Sequence, residues 1–223
     1  MRVRTIIVLC VLLGVLAFAW LKWRDSVARG EAKETSGPIV NKQPVHFANR
    51  MFDPASPPSE MPPMTPGEAA LCDSDFVASA NVSGETRATD STHASVTVRQ
   101  VKVTLQLNIT IWTPADVSPH VVEHENGHRQ ISEHYYETAD KVAERIAATY
   151  LGRQTEITGA DLDAESGKLL QQMAAEITAE YGKELNPNST QELYDTITDH
   201  SRNDVSVQDA IAHAIKNAAV EAN

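Results

Sequence analysis

A chain of 223 residues with 42% apolar and 22% charged side chains has room for one ordinary domain with appendages, and is too hydrophobic for wholesale disorder. Its 30 acidic against 19 basic residues leave a formal charge of −11, which argues against any nucleic-acid grip through a broad basic surface. Two cysteines exclude a disulfide framework, a cysteine-rich zinc site and an iron–sulfur site.

At the N-terminus, Arg2 and Arg4 precede an apolar run from Ile6 to Leu21 that Lys22 and Arg24 close. Residues 1–24 therefore read as an export signal or a signal anchor, directing the rest to a periplasmic or extracellular location. The triplet Ala17-Phe18-Ala19 suits cleavage, whereas the length of the run and the interfacial Trp20 and Trp23 suit a retained inner-membrane tether through residues 5–21. Cys10 and Cys72 fall on opposite sides of that boundary, so no disulfide is expected. Residues 25–66 hold eight of the 11 prolines, all between Pro38 and Pro66, and read as a semi-rigid spacer.

The folded unit is expected over residues 67–223. Phe76, Ala78, Ala80 and Val82 alternate with polar residues, and Ser83-Gly84 offers a turn. A longer alternation runs from Val96 to Ile111 and changes parity at Arg99-Gln100, which predicts a bulge or a break. Ser118-Pro119 then starts a helix that Gly152 stops, with an inward stripe through Val121, Ile131, Tyr135, Ala139, Val142, Ile146 and Tyr150. Further helices are expected from about Gly159 to Tyr181, from Ser189 through Ile197 under a capping box with Glu192, and from Ser206 onward. The expected fold class is α+β and zincin-like: a small antiparallel sheet, a long HExxH helix, and more helices after it.

Residues 124–128 read HENGH. At 100° per residue, His124 and His128 stack one turn apart and their imidazoles can grip one metal ion. Zinc suits two neutral ring nitrogens plus a third ligand, with a fourth position left for water, and Glu125 is placed to act as general base. Both histidines fall on the inward stripe, where an ordinary helix carries aliphatics. The strong strand before the helix offers an extended peptide a place to pair.

For the third ligand, His134 stands at the metzincin spacing, yet Ile131 occupies the glycine position at which that pattern turns. On an unbroken helix His134 points about 120° from His128 and belongs to the surface. Downstream, Tyr194-Asp195-Thr196-Ile197-Thr198-Asp199-His200-Ser201 reads YDxxTxH followed by serine. HENGH on an unbroken helix with YDxxTxH on a later one resembles the bacterial family of predicted secreted zinc-dependent proteases, domain of unknown function 922, over about Phe76 to Ile215. The family's usual glycine after the last histidine is Ser201 here. The resemblance implies an exported metallopeptidase-like domain in which His200 is the third zinc ligand and Asp195 or Asp199 orients a histidine. Either aspartate as a direct ligand stays open. Tyr135 and Tyr194 are candidate donors to an oxyanion.

These features together predict a zinc-dependent peptidase acting on peptide or protein substrates outside the cytoplasm. A non-catalytic envelope module with a structural zinc, and an amidase acting on cell-wall peptides, are the alternatives.

Overall fold

The computed structural model describes residues 37–65 and 67–221, so the export or anchor segment expected over residues 1–24 lies outside the described residues. Among the described residues, five strands and five helices follow one another: β1 (Ile39–Lys42), β2 (His46–Phe52), β3 (Leu71–Ala88), β4 (His93–Pro114), α1 (Pro119–Glu137), α2 (Ala139–Ala148), β5 (Gln154–Thr158), α3 (Leu162–Glu184), α4 (Asn188–Thr198) and α5 (Val207–Glu221). No described helix is long and apolar enough to cross a membrane.

β4 is the axis of the sheet because its period-two alternation is the longest apolar run in the fold. β3 pairs antiparallel with it from Leu71↔Trp112 to Ala88↔Ala94. The parity change at Arg99-Gln100 is a bulge: Ser83 faces Gln100 and Gly84 faces Val98, so Arg99 is the extra residue. Ser83-Gly84 is therefore not a turn, and the chain reverses instead at Thr89–Thr92, where Asp90 Oδ1 accepts from the backbone N–H of Thr92 at 2.7 Å and of His93 at 2.9 Å. A glycine is needed opposite the bulge, since a Cβ on Gly84 would stand 2.7 Å from the Thr97 carbonyl oxygen.

Along its other edge β4 is flanked by three short strands in series. β5 is antiparallel to His93–Thr97, while β1 and β2 run parallel to Lys102–Leu105 and Asn108–Pro114. The sheet is thus mixed, which corrects the expected antiparallel one. The cause is local: β1 and β2 lie in the proline-rich stretch read as a spacer over residues 25–66. Pro38, Pro44 and Pro54 bracket these strands without interrupting them, and both are edge strands, where proline neighbours are tolerated. After β2 the chain folds back, and Met61 joins Phe52 and Trp112 in a small apolar cluster.

One face of the sheet is covered and the other is wet. Phe76, Ala78, Ala80 and Val82 with Leu107, Leu105, Val103 and Val101 pack under Tyr136, Ala143, Ile146, Met173, Ile177 and Tyr181 of the helices. Each fully buried aliphatic there contributes roughly 2 kcal/mol. The opposite face carries Asp75, Ser79, Thr104, Gln106 and Asn108, as expected of a sheet with one solvated side.

Ser118 caps α1, its Oγ accepting from the Val121 N–H at 3.3 Å, with Pro119 in the first turn. The single helix expected from Pro119 to Tyr150 is broken at Thr138 (φ −101°, ψ 3°). Lys42 of β1 donates to the freed Glu137 carbonyl at 2.8 Å and pairs with Asp140, so the break is where the parallel edge strand docks. α3 is capped by Asp161. α4 lacks the expected capping box: Pro187 holds the cap position and makes no side-chain cap bond. A second cluster of Ile131, Tyr194, Val207, Ala210, Ile211 and Ala214 binds α4 and α5 against α1, which sets α4 across the HENGH turn.

Candidate metal centre

α1 turns His124 and His128 inward beside Ile131, and α4 brings Asp195 to meet them. His124 Nε2 and His128 Nε2 lie 3.2 Å apart. Asp195 Oδ1 is 2.9 Å from His128 Nε2 and 3.2 Å from His124 Nε2. Among the described residues this is the one group of three or more potential ligands whose atoms converge.

The approach of α4 is set by Tyr194 and Gly127. Tyr194 is fully buried, stacks on the His124 ring (centroids 5.0 Å, interplanar 17°) and donates from its hydroxyl to the His124 carbonyl at 3.2 Å. It fits because residue 127 has no side chain: a Cβ there would lie 2.1 Å from the tyrosine oxygen. With the ring seated, the next residue, Asp195, faces the imidazoles. Four residues earlier on the same helical face, Gln191 accepts from His128 Nδ1 through Oε1 at 2.6 Å.

Three Lewis-basic atoms converge with no fixed donor among them. His128 Nδ1 faces the Gln191 carbonyl oxygen and so carries the proton, which leaves a lone pair on Nε2 pointing at a carboxylate oxygen. Such a triangle needs protons or a cation at its centre. Four-coordinate zinc with nitrogen and oxygen ligands near 2.0–2.1 Å spaces those ligands about 3.3 Å apart, so edges of 2.9 to 3.2 Å fit such an ion. A metal-binding reading of these residues therefore agrees with the geometry, and the donor set alone does not name the metal.

The electrostatics agree. With protons and no cation filling the triangle, burial works to raise the Asp195 carboxyl, yet hydrogen bonds from the imidazoles hold it well below the usual carboxylate range. Burial opposes charge on His128, but Asp195 and Glu125 hold its pKa above the ordinary value. Glu125 is buried beside the group, and that burial pushes its carboxyl up to about 7, Asp195 and Glu68 adding to the shift and His128 and the Cys72 N–H opposing it.

A cleft of about 330 Å³ opens over these atoms, walled by Leu71–Ser74 of β3 on one side and by Pro187, Gln191, Asp195 and His200 on the other. Cys72 in that wall is an inert thiol, pushed up to about 12 mainly by burial.

His200 is brought to the rim of the cleft and not into the converging group of His124, His128 and Asp195. α4 ends at Thr198, and Asp199, His200 and Ser201 all take left-handed backbone (φ 46°, 49° and 64°), which swings the following side chains off the helical face. His200 Nδ1 stands 3.7 Å from Asp195 Oδ1 with its ring 41% exposed. The position that family resemblance implied for His200 is taken by the carboxylate of Asp195. Asp199 orients neither histidine: it is exposed, 3.6 Å from Arg202. Tyr135 bonds Thr190 Oγ1 at 2.5 Å between α1 and α4 and does not line the cleft. His134 is on the surface near Glu137, as expected. Gln191 was missed; the signal available was its i, i+4 spacing from Asp195.

Tyr194, a candidate oxyanion donor by sequence, spends its hydroxyl on the His124 carbonyl. Tyr194→Phe should accordingly cost about 1 kcal/mol in a denaturant titration and leave bound metal unchanged. A large loss of metal from that variant would contradict this placement of the hydroxyl.

Comparison of the chain with protein-family models, with curated proteins and with solved structures found no match.

Proposed function

We infer that the chain is an exported zinc-dependent peptidase of zincin-like construction. The observation that carries this reading is a triad of protein ligands, His124, His128 and Asp195, with the buried Glu125 beside it, at the floor of an open cleft. Structural zinc sites close all four positions with protein atoms, whereas catalytic sites use three and keep the fourth accessible. The resemblance to the secreted protease family in HENGH and YDxxTxH supports the same reading, as does the apolar run near the N-terminus, which fits an exported chain held by or released from a membrane.

His124, His128 and Asp195 would hold the ion. Zinc so bound supplies Lewis acidity toward a peptide carbonyl and lowers the pKa of water. Glu125 removes the proton of the attacking water and delivers it to the leaving amine, a task suited to a carboxyl whose pKa sits near neutrality. β4, the strand before the HExxH helix, is flanked along both edges and offers no room to a peptide. β3 borders the cleft through Leu71–Ser74 and, among the described residues, pairs with β4 alone, so an extended substrate pairs along its other edge there.

Purified full-length protein should contain about one zinc per chain by elemental analysis and hydrolyse members of a broad peptide library. His128→Ala and Asp195→Ala should lose the metal, and His134→Ala and His200→Ala should keep it. Metal-free wild type, or metal loss in His134→Ala alone, would sink the assignment. Bound zinc with no hydrolysis of any peptide would favour the non-catalytic envelope module, and hydrolysis confined to cell-wall peptides would favour the amidase.

A further inference from the structure

The two histidines of the centre are not held in the same way. His124 is seated by stacking on Tyr194, and its Nδ1 is buried without a hydrogen-bond partner. His128 is held by hydrogen bonds: its ring Nδ1 meets Gln191, and its carbonyl accepts from Gln191 and, at 3.2 Å, from Ser132 Oγ. Gln191 Oε1 lies 2.6 Å from His128 Nδ1, while its Nε2 donates to the His128 carbonyl at 3.1 Å and to Ser132 Oγ at 3.0 Å. This arrangement orients the amide. Turned over, it would set its oxygen against the His128 carbonyl oxygen, where the amide now donates at 3.1 Å. With Oε1 fixed toward the ring, Nδ1 must carry hydrogen, and the Nε2 lone pair faces Asp195 and His124.

Gln191 is itself braced. Ser132 Oγ, which receives the Gln191 amide, also lies 2.9 Å from Ser74 Oγ on β3, so the amide is tied to α1 and to the strand that walls the cleft. Asp195 lies one helical turn further along α4. One face of one helix thus supplies both a ligand and the group that sets the tautomer of another ligand.

We propose that Gln191 is a positioning residue that locks His128 in the Nδ1–H tautomer and so presents Nε2 to a divalent cation. The proposal rests on the reading of His124, His128 and Asp195 as metal ligands. Partners that orient a ligating histidine in this way commonly govern affinity by 10- to 100-fold.

The test is competition for zinc between the full-length protein and a chromophoric chelator, together with the thermal midpoint of the metal-free protein and long-range proton–nitrogen spectra of the histidine rings in the zinc-loaded form. Gln191→Leu should weaken zinc binding by about 10- to 100-fold, and the slowly exchanging His128 ring N–H seen in wild type should disappear. Gln191→Glu, whose carboxylate still accepts from Nδ1, should keep that N–H signal and bind zinc far more tightly than Gln191→Leu. A merely structural glutamine would instead lower the metal-free midpoint in Gln191→Leu while leaving affinity and the ring signal as in wild type, which overturns the proposal. If Gln191→Leu does not fold, loss of the ring N–H in Gln191→Glu overturns it equally. Wild type that binds no zinc removes the metal-centre reading along with the proposal, whereas normal wild-type binding with an unaffected Gln191→Leu removes the proposal alone.

Discussion

Glu125→Gln should reduce hydrolysis by about 10² to 10⁴ while leaving the metal content at the wild-type level. Glu125 is not among the three atoms that converge, so removing its charge leaves His124, His128 and Asp195 in place. Glutamine has the same shape and can still fill the buried site, but it cannot take a proton from water. Two measurements separate this from a folding defect. The thermal midpoint should not fall, because a neutral amide has no charge to desolvate in a site where burial already pushes the carboxyl up to about 7. The pH dependence of the metal-free protein should also change. A carboxyl whose folded pKa lies above its unfolded value binds protons more tightly in the native state, so its contribution is most favourable below about 4.5 and is lost as pH rises through about 7. Glu125→Gln should flatten that part of the profile. Hydrolysis within a few-fold of wild type would remove Glu125 as the base.

What could be read in advance follows from how local each signal is. The HExxH helix was legible because its cap, its first-turn proline and its inward stripe are written within twenty residues of one another. The bulge at Arg99 was legible because a parity change in an alternating strand has one structural meaning. β1, β2 and β5 were not, since each is a short edge strand without a sustained period-two alternation, and the parallel pairings of β1 and β2 with β4 join residues some sixty apart in sequence. The mixed sheet was therefore hidden even though its central strand was plain.

The third member of the converging group shows the same division. Tyr194, Asp195, Asp199 and His200 were all singled out, but which of them meets α1 depends on where α4 stops. On a helix, residues 191, 195 and 198 share a face, and helix geometry holds only to Thr198. Three consecutive non-glycine residues in the left-handed region then send Asp199 toward Arg202 and His200 to the rim. Such backbone is costly, roughly 1–2 kcal/mol per residue, and is sustained here by bonds that converge on the end of α4: His200 N–H to the Asp195 carbonyl at 3.1 Å, and the Asn203 amide to the Ile197 carbonyl at 2.9 Å. Composition gives no warning of a left-handed run without glycine.

Gly127→Ala is the substitution expected to do most damage to the architecture of the centre. In an ordinary helix interior the exchange gains about 1 kcal/mol, because alanine is the better helix former. Here the added methyl would lie 2.1 Å from Tyr194 Oη and 2.5 Å from Cζ, far inside contact distance. Tyr194 has no room to yield: it is fully buried, its ring is stacked on His124, and Ile131, Val207 and Ile211 pack in the same cluster. The accommodation must come from α4 moving off α1, which carries Asp195 and Gln191 away from the imidazoles together. Overpacking of this kind costs about 1–3 kcal/mol or more, so a net loss should survive the propensity gain. Zinc affinity should fall with it, measured by chelator competition, even at temperatures where the variant remains folded. Gly127→Ala combined with Tyr194→Leu should recover part of the metal-free stability, since the clashing ring is gone, without recovering the stacking that seats His124. A Gly127→Ala protein with the melting point and zinc affinity of wild type would mean that α4 does not lie against the HENGH turn, and with that the carboxylate of Asp195 would lose its place beside the two histidines.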